Sequence, residues 1–257
     1  MRIVTWNCNS LNARAELVGE FLDAERPDVL ALQELKLETG RVPSALFTDR
    51  GYHVAAHGQR AWNGVLLASR TPLTDVVCGL PDAEQGQSRV IAATTAGVRL
   101  VNVYAPQGQA VDSDKFPYKL AFYDALTTWL AARLADPGPL ILLGDLNIAP
   151  AARDLWDPEG LAGVPSFHPL EHARLARLTD LGLSDLVAPR VPPGTYSFWD
   201  YRGAAFRMNQ GLRIDHLYGN AAAADRVCEA HIGRDWRRKR GERTPSDHAP
   251  VGVTLAP

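Results

Sequence analysis

Apolar runs of β-forming residues stop abruptly at polar groups in several places along the chain: Ile3 to Trp6 runs into Asn7, Val29 to Leu32 into Gln33 and Glu34, and Leu140 to Leu143 into Gly144 and Asp145. Such endings put amides and carboxylates at the rim of a sheet, within reach of a ligand. Strands are predicted at 2–7, 28–33, 52–57, 64–69, 89–95, 98–104, 140–143, 196–199, 213–218, 226–232 and 251–255. Ala96-Gly97 supplies a hairpin turn between two of them. Helical spacing of Leu17, Val18, Phe21 and Leu22 predicts a helix over 12–24, capped by Asn12 and stopped by Pro27. A longer one over 117–134 buries Leu120, Tyr123, Leu126, Leu130 and Leu134, and a short one is expected near 170–182. Strands outnumber helices and most are apolar on both faces, which suits two packed sheets with helices outside. The Pro- and Gly-rich stretch from Pro150 to Pro169 reads as a long surface connection.

Composition narrows this to one α/β domain spanning 1–257, since 257 residues with 46% apolar content allow a substantial core. No apolar run approaches membrane-spanning length and MRIVTWN lacks signal-peptide features, so a cytoplasmic location is expected. Cys8, Cys78 and Cys228 have no metal or redox spacing and are expected to be reduced and buried. Net charge is −2, which neither demands nor excludes a nucleic-acid partner. Between Arg234 and Arg243, however, six basic residues face two acidic ones, and this basic loop leads directly into Pro245-Ser246-Asp247-His248.

Taken singly, Glu34 reads as a surface acid, Asn7 as a strand-end cap and GDLN at 144–147 as a plain turn. Together they offer oxygen donors for a hard divalent cation, magnesium or else manganese rather than zinc. Asp145 beside Asn147 can deprotonate an attacking water while the amide holds phosphate. His248, with Asp215 as a candidate partner keeping it charged, can stabilise a phosphorane-like transition state. His53 and His57 are set aside as zinc ligands, because GYHVAAHG reads as a strand.

TWNCNS at 5–10, LQELK at 32–36, VYAPQG at 103–108, KFPYK at 115–119, GDLN, TYSFWDYR at 195–202, GLRIDH at 211–216 and PSDHAP at 245–250 occur in that order over nearly the whole chain. This set closely resembles the exonuclease III class of apurinic/apyrimidinic endonucleases. GDLN and SDH alone mark only the wider endonuclease, exonuclease and phosphatase superfamily; KFPYK, YSFW and GLRID narrow it to DNA repair. The resemblance implies a four-layer α/β sandwich of the deoxyribonuclease I-like kind. It implies Asn7, Glu34 and Asp247 at the metal, Asp145 and Asn147 at the water, Tyr104 and Gln107 at the phosphate, and Asp215 orienting His248. Phe198, Trp199, Leu212 and Ile214 match the pocket for a flipped-out abasic sugar, and Arg202 or Met208 could wedge the duplex or grip phosphate. Ser10 and Leu35 depart from the family pattern, where a glycine and a small residue are common.

The implied activity is metal-dependent cleavage 5′ to abasic sites, with 3′-to-5′ exodeoxyribonuclease and 3′-end-cleaning activity. The expected partner is double-stranded DNA with abasic sites or 3′ ends, met by a monomer with no membrane association. Two alternatives remain open from the residues alone: a phosphatase or lipid phosphodiesterase of the same superfamily, and a non-catalytic DNA-binding module.

Overall fold

The computed structural model describes residues 1–81 and 86–257. Its first sheet has the order β11-β12-β1-β2-β4-β3, from Val227–Ile232, Val251–Leu255, Arg2–Asn7, Val29–Gln33, Val65–Ser69 and His53–His57. The second has the order β5-β6-β7-β8-β10-β9, from Thr74–Cys78, Val90–Thr95, Val98–Tyr104, Leu140–Asp145, Asp215–Gly219 and Ser184–Asp185. Both sheets mix parallel and antiparallel pairs: β1 runs parallel to β2 and β7 to β8.

Alternation along each strand explains why the runs are apolar on both faces. In β1, Ile3 enters the core between the sheets with Val29, Ala31, Val65, Ile141, Leu143 and Leu217. Its neighbours Val4 and Trp6 face outward onto helix α1 (Leu11–Glu25), meeting Leu17, Val18, Phe21 and Leu22. On the second sheet, Val101, Val103 and Leu142 likewise pack on Phe122, Tyr123, Leu126 and Leu130 of α3 (Lys115–Arg133), with Leu175 and Leu178 of α4 (Pro169–Thr179) alongside. Four layers result, as the resemblance implies. Helix α2 (Ala45–Thr48), α5 (Ala205–Met208) and α6 (Ala221–Ala224) are single turns in the connections. No helix among the described residues is long and apolar enough to cross a membrane.

Several expectations need correction. Ser10, not Asn12, caps α1, its hydroxyl accepting from Ala13 N. The strand expected at 196–199 is reduced to isolated bridges from Phe198 to Leu212 and His248, because the segment ties two loops rather than joining a sheet. Cys8 is buried, but Cys78 and Cys228 are exposed on strands at the sheet edges. The 150–169 connection is not merely superficial: Leu155, Leu161 and Phe167 pack with Ile214, Leu212 and Phe198. The turn at Ala96-Gly97 forms as expected, with φ of 47° and 76°.

Candidate active site

Strand register gathers the polar endings on one rim. Asp145 pairs with Tyr104 on one side and with Asp215 on the other, and Asn7 closes the facing sheet beside Gln33. Gly144 makes the first of these possible. Its φ is +137°, and a Cβ there would lie 1.9 Å from the Val103 carbonyl oxygen, so only glycine lets β8 pass its neighbour before presenting Asp145. Glu34 and Asn147 themselves adopt left-handed backbone, with φ of 55° and 53°, where their chains leave the sheets.

At the centre, Asn7 Nδ2 donates to Glu34 Oε1 at 2.9 Å and to Asp145 Oδ2 at 2.8 Å. The Tyr104 hydroxyl donates to the same Glu34 oxygen at 2.9 Å, and Lys36 Nζ lies 3.0 Å from the other. Asn147 N donates to Asp145 Oδ1 at 3.0 Å, while its Nδ2 donates to the Ala105 carbonyl at 3.0 Å. His248 approaches from the opposite wall, with Nδ1 2.8 Å from Asp215 Oδ2 and Nε2 3.8 Å from Asp145 Oδ2. Ser197 donates its hydroxyl to the same Asp215 Oδ2 at 2.6 Å. Ser246 Oγ, donating to the Asn7 carbonyl at 2.7 Å, pins the loop that carries His248 to the end of β1.

Electrostatics set the protonation states. Burial, with Asp215 and Glu34 adding repulsion against the opposing pull of His248, raises the Asp145 carboxyl to about 7. Burial works against a charged His248, but Asp215 and Asp145 outweigh it and push the imidazole up to about 10. Burial and the adjacent Glu34 hold the Tyr104 phenol well above its ordinary value, so it remains a donor. For Glu34 the order is reversed: burial disfavours its charge, yet Lys36 and Asn7 keep its pKa below the usual value.

Ligand atoms of Glu34, Asp145 and His248 fall within 4.8 Å of one another. A protonated imidazole cannot ligate a cation, so the donor set reduces to two carboxylates with Asn7 beside them. As oriented, Asn7 turns its amide nitrogen to the carboxylates and its oxygen to Asn9 N at 2.9 Å. Ligation through that oxygen requires the amide to rotate. Asp247 lines the same pocket but spends Oδ1 on Asn9 Nδ2 at 2.9 Å.

Glu34, Tyr104, Asp145, Asn147, Asp247 and His248 share a cavity of about 290 Å³ with Gln107, Phe198, Leu212 and Ile214. Trp199 and Arg202 are not among them. Successive residues of an extended segment face opposite ways, so Phe198 stacks on the His248 ring at 4.9 Å while Trp199 is fully buried against Tyr196 and Phe206. Arg202 is at the surface, its Nη2 2.7 Å from Asp200, and Met208 is exposed away from the cavity lining. Most of the basic loop is structural. Arg237 is buried against Tyr201 and Phe206, Arg234 and Arg240 stack on Phe206 and Trp236, and Arg243 pairs with Glu20. Arg238 and Lys239 are its exposed cations.

Two polar groups beneath the site escaped the sequence reading. Gln33 Nε2 donates across the sheets to Asn102 Oδ1 at 2.6 Å, and Lys119 forms a fully buried pair with Glu171. An amide inside an otherwise apolar strand was the available signal for the first; nothing in KFPYK marked its second lysine as interior.

The endonuclease/exonuclease/phosphatase family model matches residues 4–248. The chain belongs to this family. It is 34% identical to exodeoxyribonuclease III of Haemophilus influenzae, with 98% of each chain covered. Among solved structures it resembles a Neisseria 3′ phosphatase bound to a product DNA hairpin, with TM-score 0.94, 41% identity and 99% of each chain covered. A 3′–5′ exonuclease from Neisseria meningitidis gives 0.94 and 42% over the whole of both chains, and an AP endonuclease from Archaeoglobus fulgidus 0.92 and 31% over 99% of each. The exonuclease III resemblance and the four-layer fold therefore hold, and the chain is a hydrolytic nuclease of the DNA-repair type.

Proposed function

We propose that this nuclease is divalent-metal-dependent, incises duplex DNA 5′ to abasic sites, and trims or cleans 3′ ends with the same chemistry. The observation that carries this is the single cavity in which Glu34, Asp145, Asn147, Tyr104 and His248 meet the apolar wall of Phe198, Leu212 and Ile214. That wall suits a sugar without a base.

Glu34 and Asp145, with Asn7 once its amide is turned, would hold magnesium or manganese, hard cations that match an all-oxygen set. When bound, the ion supplies Lewis-acid neutralisation of charge on the phosphate. Asp145 takes the proton from the attacking water; burial raises its carboxyl in the metal-free site, and a bound cation that displaces its proton would hold it ionised for that role. Asn147 positions the water or phosphate. His248, protonated and aimed by Asp215, places positive charge at the phosphate oxygens, and the Tyr104 phenol donates beside it. Gln107 touches the neighbouring phosphate from the pocket edge, and Asp247 adds a further acid across from Glu34.

A narrower second reading, a 3′-end specialist with little abasic-site incision, is favoured by the two Neisseria structures described as 3′ phosphatase and 3′–5′ exonuclease. Three duplexes separate the readings: one with a tetrahydrofuran site, one with a recessed 3′ end and one with a nick bearing a 3′-phosphate. With magnesium, cleavage of all three supports the broad reading, and processing of only the latter two supports the narrow one. Inertness toward all three, with phosphate released from inositol phosphates instead, overturns both.

A further inference from the structure

The ammonium of Lys119 lies directly under the two loops that carry the phosphate-facing amides. Lys119 on α3 and Glu171 on α4 are both fully buried, with Nζ 2.5 Å from Oε1. The ammonium also donates to the carbonyls of Asn147 at 2.7 Å and Gln107 at 3.2 Å, so its three protons are all spent. Glu171 is equally committed: Oε1 accepts from Ser166 N at 3.1 Å and Oε2 from His168 N at 3.0 Å. Ser166, which lines the catalytic cavity with Pro165, sits at φ 78°, and its carbonyl accepts from Ala149 N at 2.8 Å. Four segments therefore converge on one ion pair: the ends of β7 and β8, the 163–168 loop and the start of α4.

We propose that Lys119 is a positioning residue for phosphodiester cleavage, its ammonium and Glu171 locking Asn147, Gln107 and the Pro165-Ser166 wall into one rigid unit. The two charges themselves are a poor source of stability. Desolvating two charges is costly, and an apolar pair of similar volume commonly matches or exceeds a buried ion pair in stability. What methionine and leucine cannot supply is a set of directed bonds to two carbonyls on different loops. A slippage of about 1 Å between such groups can cost roughly 100-fold in rate. Lys119 is sealed from solvent and from DNA, so its loss acts on turnover rather than on substrate capture.

The inference rests on reading Asn147 and Gln107 as groups that meet the phosphate, and the test includes Asn147→Ala to check that reading separately. Steady-state cleavage of a recessed duplex is measured for Lys119→Met, Glu171→Gln, the double variant Lys119→Met/Glu171→Leu and Asn147→Ala, with Tm for each. Lys119→Met is expected to lower both Tm and kcat. The double variant should recover only part of the lost Tm, because four buried backbone groups still lack their partners, while kcat stays about 10- to 100-fold down and KM moves less than about threefold. Glu171→Gln, which keeps the side-chain size, should also lower kcat at unchanged KM. A double variant or Glu171→Gln with wild-type kcat overturns the positioning role. If Asn147→Ala alone leaves kcat unchanged, it is the role of Asn147 that fails.

Discussion

Replacing Asp215 by asparagine tests the charge state on which the site depends. In the native site His248 Nδ1 is 2.8 Å from Asp215 Oδ2, both side chains being almost wholly buried. For unit charges about 2.8 to 4 Å apart at an effective dielectric near 20, the attraction is about 4–6 kcal/mol, or roughly 3 to 4 pK units. Removing it should bring His248 from about 10 to roughly 6 or 7, since burial then acts against the charge with Asp145 and Asp247 opposing. The native His248 has a folded-state pKa above its ordinary 6.5. Its stabilisation is therefore complete below about 6.5 and is lost as pH rises through about 10; the Asp215→Asn protein lacks that loss. Ring titration by NMR in metal-free protein measures the pKa directly, and the alkaline limb of the pH–rate profile should move to lower pH by a similar amount. A His248 that still titrates above about 9 in the variant would refute the dyad as the source of its charge.

Other outcomes follow from the same geometry. Asp145→Asn should lower kcat by about 10²- to 10⁴-fold while leaving DNA affinity near wild type in a gel-shift assay, because its carboxylate is the proposed base. Burial raises the Asp145 pKa to about 7 from 3.8, so the metal-free protein loses stability as pH climbs between those values. A cation that displaces the proton should bind up to about tenfold more weakly for each pH unit below 7, and should raise Tm more at pH 8 than at pH 6 in thermal-shift measurements. Gly144→Ala, which drives a Cβ to 1.9 Å from the Val103 carbonyl, should lower Tm by roughly 10 °C or more, or prevent folding. Neutralising Arg238 and Lys239 should flatten the slope of log affinity against log salt by up to about 0.9 each, whereas Arg237→Ala should mainly lower Tm.

The layered fold was legible because inward and outward faces of the same strands are both apolar, and because Asn7, Glu34 and Asp145 interrupt those runs where the strands end. Thr74–Cys78 was not, since its side chains are half-buried or exposed and its pairing with β6 is broken by a bulge, leaving no periodic signal. Ser184–Asp185 is too short to show any. Within the site, motif residues came together as the spacing suggested, but side-chain direction was only partly readable. Period-two alternation separates Phe198 from Trp199, yet which of them faces the cavity depends on the bridge to Leu212 and His248. Arginines 234, 237 and 240 look like a solvated basic run in the sequence, and only tertiary packing reveals the aromatic rings that absorb them. Lys119 was hidden for the opposite reason, a charged residue made interior by partners more than ten residues away.

The most direct test of a cation-assisted site built on Glu34 and Asp145 is single-turnover cleavage of an end-labelled recessed duplex by EDTA-dialysed protein across a magnesium titration. Wild-type protein should be silent without the ion and recover full cleavage on its addition, whereas Glu34→Gln should need much higher magnesium to reach its own plateau. Undiminished cleavage in excess EDTA, or a magnesium dependence identical in the two proteins, would contradict the account.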